Sequence, residues 1–322
     1  MSHLRFGLVL PQGWIDDLRG LDFEHLKSFA LRAEELGFDS LYAYDHFIPY
    51  YEYKPLVDKP ILECWTLISA IAAVTSKIRI GEVVTCNSYR NPALLAKMAS
   101  SLDYISNGRL DLGIGAGWYE EEYISYGYEF PAASVRIDQL DEALVIIRSM
   151  WLDRVSNVRG RYYRVVNAIN YPKPIQRPHP PIMVGGYGRS LLKVAAKHAN
   201  IYNCPFVGIE EFKGRMDILK EHCLSIGRDH STIEKSLLMR VIVVDDEYSL
   251  KEIVSRVKRE DESVEDFTSR NKDSTIIGYR DDIVNALRGY ASIGVTHFIL
   301  HILALDERFD TLKLLIDACK AV

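Results

Sequence analysis

Two ionisable residues side by side, Asp45 and His46, close a short apolar and aromatic run, DSLYAYDHF, from Asp39 to Phe47. A histidine exchanges protons near neutral pH, and a neighbouring carboxylate can orient it or hold part of a ligand. The alternation of Ser40, Tyr42 and Tyr44 against Leu41 and Ala43 predicts a buried strand, so the pair stands where a strand ends. In α/β proteins strand carboxyl ends open onto loops, and ligands collect there. The competing reading is an Asx turn beside a solvated histidine.

Two glycine clusters offer partners for such a pair. In LGIGAGWYEEEY the glycines at 113, 115 and 117 let backbone approach a ligand closely. This is not the dinucleotide fingerprint, whose last glycine would fall at Trp118, and a tight strand exit explains it equally well. In MVGGYGRSLLKVAAKHA a strand, then Gly185, Gly186 and Gly188, then a helix opening at Arg189 and Ser190 make a phosphate site from free N–H groups and the helix dipole. The alternative is an ordinary capped helix with an exposed arginine. His297 and His301 share one side of the last strand, but neither HExxH nor clustered carboxylates accompany them, so core or pocket-lining histidines are expected and no metal. Glu63 opens a helix, where dipole reasons alone favour a carboxylate. Trp14, Tyr50, Tyr51, Trp65, Trp118 and Tyr119 could line an aromatic pocket or pack a core.

The elements that must position these residues alternate regularly. Strands are predicted at Arg5–Pro11, Asp39–Phe47, Ile78–Thr85, Arg109–Ile114, Ile182–Val184, Ile201–Cys204, Leu237–Val244 and Thr296–Ile302. Helices fall between them, one capped by Asp22 and closed by Gly37, another opened by Asn91 and Pro92. The proline-rich stretch 153–181 interrupts the rhythm as an inserted hairpin and loop, and the charged run Lys258–Lys272 is expected to be helical or mobile surface. About eight strand–helix pairs without a composition break favour a single (β/α)₈ barrel domain over 1–322, in place of an open doubly wound sheet. A barrel gathers Asp45, His46, the loop Cys86–Arg90 and both glycine clusters on one rim.

Bulk properties narrow the partners. The 322 residues, 48% hydrophobic and 26% charged with a net charge of −5, suit a globular enzyme of small molecules and not a nucleic-acid surface. No apolar run is long enough to span a membrane, and MSHLRFGLVLPQ reads directly into a strand, so a cytoplasmic protein is expected. Five scattered cysteines, Cys64, Cys86, Cys204, Cys223 and Cys319, read as reduced thiols.

With these pieces in order the chain resembles the bacterial-luciferase-like flavin and deazaflavin oxidoreductases, especially their coenzyme F420-dependent branch. The matching stretches are FGLVLPQ, YDHF, LECWTLISAIAAVTSKIRIGEVVTCNSYRNPALLAKM, GRLDLGIGAGWYEEEYISYGYEFP, KPIQRPHPPIMVGG and IGVTHFIL. The resemblance implies a (β/α)₈ TIM barrel with an insertion after the fourth strand, usually a homodimer. It implies that Asp45 touches the cofactor and that His46 is the proton donor. A bulge behind the redox ring, often a non-prolyl cis peptide, would fall near Val83 and Val84, with cofactor contacts at Cys86, Ala116 and Gly117. The phosphate loop would be Gly185, Gly186, Gly188, Arg189 and Ser190, and the substrate pocket would include Trp14, Glu63, Trp118 and His301. Where deazaflavin sugar-phosphate dehydrogenases of this group carry an acidic base, Trp118 stands here, with Glu120, Glu121 and Glu122 slightly later, which argues for a flatter or more apolar substrate. The expected function is hydride transfer between reduced F420 and a small organic substrate. The alternatives are an FMN monooxygenase served by a partner flavin reductase, and a non-catalytic flavin-binding protein.

Overall fold

The computed structural model of the protein describes residues 4–13, 22–50, 60–259, 261–303, 305–306 and 308–322. Eight parallel strands close a barrel: β1 (Arg5–Val9), β2 (Ser40–Ala43), β3 (Arg79–Glu82), β4 (Leu110–Gly115), β5 (Ile182–Gly185), β6 (Ile201–Pro205), β7 (Glu234–Val243) and β8 (His297–Ile302). Neighbours in sequence are neighbours in the ring, and β8 pairs with both β7 and β1 to complete it. The helices that follow these strands are α1 (Phe23–Leu36), α2 (Cys64–Val74), α3 (Pro92–Ile105), α4 (Ala133–Leu152), α5 (Arg189–His198), α6 (Ile209–Ser225), α7 (Arg280–Ser292) and α8 (Asp310–Cys319).

Local signals explain the boundaries. Asp22 accepts the Glu24 N–H at the start of α1, and Gly37 ends that helix with φ +89°, a conformation in which a Cβ is disfavoured. Asn91 caps α3 with Pro92 in its first turn. Alternate strand residues divide two apolar layers. Leu41, Ala43, Ile80, Leu112 and Val184 pack outward beneath the helices, while Val9, Tyr42, Tyr44, Val83, Met183, Leu238 and Ile299 fill the barrel.

Residues 153–181 contain an antiparallel hairpin, Ser156–Arg159 with Arg164–Ala168, lying between α4 and β5. The run 258–272 is in large part the helix Val264–Asn271, and it is preceded by another, Glu247–Val257. Sequence patterning missed one strand, Thr275–Gly278, which pairs with the upper half of β7. At four residues it is too short for a period to stand out. The lower half of β7 pairs with β6 instead, so the ten-residue β7 serves two neighbours along one edge.

A polar plug closes the end of the barrel at the strand N-termini. Arg5 bonds Glu234 through Nε and Nη2 at 3.1 and 2.6 Å, Arg79 Nε bonds Asp111 at 3.0 Å, and the Tyr42 hydroxyl donates to Asp111 at 3.1 Å. Burial would raise the Asp111 carboxyl, but Arg79 outweighs it and holds it below the usual range. His297, wholly buried in this plug, is pushed down to about 3 by burial and then by the Arg5 charge. The folded protein therefore keeps His297 neutral where the unfolded chain binds a proton. The associated stability is complete above the unfolded histidine value of about 6.5 and is lost as pH falls toward the folded value. Urea unfolding between pH 6 and 5 should lose about 1.4 kcal/mol per pH unit from this residue, and His297→Gln should reduce the measured slope by that amount.

Candidate active site

The opposite mouth, at the strand C-termini, holds a cavity of about 750 Å³. That size suits a ligand of several fused rings. Its wall is built from loops that the ring topology brings together. Asp45 and His46 lie just beyond β2, Val83 to Cys86 continue β3, Ala116 to Tyr119 follow β4, Gly186 and Tyr187 follow β5, and Arg240 belongs to β7.

Asp45 is 1% exposed and fully engaged. It accepts the Cys86 N–H at 2.9 Å and a two-pronged contact from Arg90, Nη1 to Oδ2 at 2.6 Å and Nη2 to Oδ1 at 3.0 Å. Burial works against the Arg90 charge, but Asp45 outweighs it and keeps the guanidinium firmly protonated. Arg90 also holds Glu63, which caps α2 by accepting the Trp65 and Thr66 N–H groups. Glu63 is thereby a brace behind Asp45 and does not line the cavity.

His46 is set by a residue the motif reading passed over. Its Nδ1 lies 2.8 Å from Glu122 Oε2, and the same fully buried carboxylate accepts the Phe47 N–H at 2.5 Å, the Ile48 N–H at 3.1 Å and the Tyr89 hydroxyl at 2.5 Å. Burial alone would raise Glu122, yet the His46 bond, then Tyr89 and the Phe47 amide, hold it below the ordinary carboxylate range. An ionised acceptor on Nδ1 requires that nitrogen to carry a proton, which leaves Nε2 as the exchanging position. The signal for Glu122 was present in GWYEEEY, but three consecutive glutamates at the start of the helix Glu120–Ser125 do not reveal which one turns inward.

Close packing shapes the rest of the wall. The Val83–Val84 peptide is cis, as the resemblance implied for this position. A Cβ on Gly115 would come within 2.8 Å of Val84 Cγ2, and one on Gly185 within 2.7 Å of Val84 Cγ1, so both glycines make room for that side chain. Gly117 has φ +78°, and a Cβ there would lie 1.9 Å from the Tyr123 hydroxyl. Cys86 donates its N–H to Asp45 and sits 3.0 Å from that hydroxyl, and burial pushes its thiol up to about 12, so it serves packing and not nucleophilic chemistry. Trp118 and Tyr119 stack at 5.3 Å, Tyr50 meets both edge-on, and the His46 ring lies 6.0 Å from that of Trp118.

Of the residues expected from the sequence, Asp45, His46, Val83, Val84, Cys86, Ala116, Gly117, Trp118, Gly185 and Gly186 line this cavity. Gly188, Arg189 and Ser190 do not. The Arg189 side chain lies on the outer surface, bonded to Glu221 at 2.6 Å, because α5 turns away from the mouth and its first residue meets α6. His301 lies beneath the wall with Nδ1 3.1 Å from the Tyr44 hydroxyl, pushed down to about 3 by burial and then by Arg240. Trp14 and Tyr51 lie outside the described residues. The loop Cys86–Arg90 brings Tyr89 to the wall as expected, whereas sequence reasoning missed Arg136 and Arg240, each in an element whose inward face was not identified beforehand.

The model of the luciferase-like monooxygenase family matches residues 4–297. The chain belongs to that family. Within it, an F420-dependent glucose-6-phosphate dehydrogenase of Amycolatopsis mediterranei is 32% identical over 180 residues, 56% of this chain and 52% of that enzyme. The corresponding enzyme of Kineococcus radiotolerans is 26% identical over 309 residues, 88% of each chain. An FMNH(2)-dependent dimethylsulfone monooxygenase of Pseudomonas putida is 24% identical over 265 residues, 78% of this chain and 71% of the enzyme. An F420-dependent secondary alcohol dehydrogenase, solved with an F420–acetone adduct, shares the family fold with a TM-score of 0.82 at 22% identity over 99% of both chains. The protein is thus an oxidoreductase of the luciferase-like family, with F420-dependent and FMNH(2)-dependent enzymes among its relatives. No helix among the described residues is long and apolar enough to cross a membrane.

Because Glu122 satisfies four donors, Glu122→Gln places an amide where only acceptors fit. Unfolding at pH 7 should cost about 3 kcal/mol less for the variant. A carboxyl depressed in the folded state contributes stability above its unfolded value of about 4.3 and loses it as pH falls, so that margin should narrow below pH ~4.3.

Proposed function

We propose that this protein transfers a hydride between coenzyme F420 and a small organic substrate, with His46 handling the accompanying proton. The observation that carries the reading is the His46–Glu122 contact at the edge of a cavity large enough for a tricyclic ring. Gly115 and Gly185 give the Val83–Val84 wall a smooth apolar face, and Ala116 and Gly117 keep the neighbouring loop free of bulk, as a flat ring requires. When bound, the deazaflavin would supply the two-electron chemistry that no side chain here can. Asp45, locked by Arg90, would hold the Cys86 backbone against the ring. Gly185 and Gly186 would offer close backbone approach to the phosphate-bearing tail, and Arg136, fixed by the Gly117 carbonyl at 3.3 Å, would add positive charge nearby.

His46 Nε2 gives or takes the proton, and the charge formed on the ring in the protonated state is opposed by ionised Glu122 at Nδ1. This is the arrangement by which a buried carboxylate fixes an imidazole's orientation and supports its charged form. The aromatic wall of Trp118, Tyr119 and Tyr50 favours a flat or apolar substrate and limits water near the reacting atoms.

A second reading, an FMN monooxygenase supplied by a reductase, is supported by the Pseudomonas putida relative. Fluorescence titration with F420 and with FMN separates the two, F420 being expected to bind more tightly, with anaerobic turnover and no oxygen uptake. His46→Ala should lower turnover of secondary alcohols or enones by about 10²–10⁴-fold while shifting the F420 dissociation constant less than about threefold. Equal turnover by the variant, or no binding of either cofactor at micromolar concentrations, would contradict the proposal.

A further inference from the structure

Arg240 projects from β7 into the cavity wall, with its guanidinium 4.7 Å from the Phe206 ring centroid. Its Nε is buried and has no hydrogen-bond partner. Among the described residues no carboxylate pairs with this side chain, and the ionisable groups that feel its charge include Tyr44, Tyr187 and His301. His301 is kept neutral, so no charge there opposes or satisfies the guanidinium. A buried donor of a charged group left without an acceptor is unfavourable, and a ligand's acceptor would relieve it.

The other arginines on the cavity differ from it. Arg270 is bonded to Glu262 through Nε at 2.7 Å and Nη2 at 2.8 Å, and Arg136 is held by the Gly117 and Pro131 carbonyls. Among the described lining residues the carboxylate is Asp45, and it is already neutralised by Arg90.

The ring order places Arg240 across the mouth from the proposed cofactor wall. From β3, which leads into Val83 and Val84, the barrel runs through β4, β5 and β6 before reaching β7, half the circuit. A planar group lying on the valine wall would turn its other face toward the side that carries Arg240.

We propose that Arg240 receives an oxyanion, a carboxylate or phosphate group, carried by the organic substrate, and so selects acidic substrates. The inference rests on the oxidoreductase reading for the word substrate, and on the geometry alone for the anion. The planar fork of the guanidinium matches two oxygens of such a group. F420 and FMN are themselves anionic, so the test must separate the two sources.

Benzoate, with benzamide as its uncharged counterpart, is titrated calorimetrically into wild type, Arg240→Gln and Arg240→Lys, with and without F420. The same samples are titrated with F420 and with FMN. Benzoate should bind wild type at least about tenfold more tightly than benzamide, and Arg240→Gln should remove that preference while changing cofactor affinity less than about threefold. Arg240→Lys, which keeps the charge without the fork, should retain part of the preference, and it supplies the comparison if the glutamine variant does not fold. Benzoate binding that is absent, equal to that of benzamide, or unaffected by either substitution would overturn the proposal. So would a tenfold loss of cofactor affinity with benzoate unchanged, since the anion would then belong to the cofactor. Failure of both cofactors to bind would end the oxidoreductase reading while leaving the benzoate comparison to decide the anion site.

Discussion

The site depends on one buried carboxylate. Glu122 collects a ring nitrogen, two backbone N–H groups and a phenol, and by doing so fixes the chain after β2 against the short helix after β4. A carboxylate removed from water is unfavourable unless its lone pairs are filled, and here four donors fill them. The same bonds decide the histidine's chemistry. With Nδ1 committed to Glu122, the imidazole presents a single exchanging nitrogen, and its protonated form has a counter-charge in place before any reaction occurs. Stability of the loop and readiness of the acid–base group thus arise from one set of contacts.

The barrel makes that interaction possible. Asp45, Cys86 and Arg90 tie the ends of β2 and β3 together behind the site, and the close approaches at Gly115, Gly117 and Gly185 let the third, fourth and fifth loops converge. At the opposite end, the plug of Arg5, Arg79, Asp111 and Glu234 seals the strand N-termini, so the interior opens toward one mouth. Rigid strands below and polar clamps above hold the reacting group in a fixed orientation, which is the part of catalysis a protein contributes when a cofactor carries the electrons.

Much of this was legible in the residues themselves. Alternation at Ser40–Tyr44, the caps at Asp22 and Asn91 and the β-branched runs located all eight barrel strands, because burial on two faces leaves a local hydrophobic record. The position of Asp45 and His46 followed from where β2 must stop. Glu122, Arg240 and the outward turn of Arg189 were not legible, for a shared reason: each depends on which way one side chain faces after a tight turn, and that is settled by partners over thirty residues away or on another strand. The strand Thr275–Gly278 escaped notice because it exists only as an addition to the long edge of β7.

The central claim is that Glu122 keeps a proton on His46 Nδ1 and leaves Nε2 to exchange. Nitrogen-15 NMR of histidine-labelled protein, with the His46 signals assigned by comparison with His46→Asn, reads the two ring nitrogens separately. The account predicts that, with Nδ1 donating to Glu122, the neutral His46 ring shows a protonated Nδ1 and a bare Nε2. A His46 ring with bare Nδ1 and protonated Nε2 would contradict it.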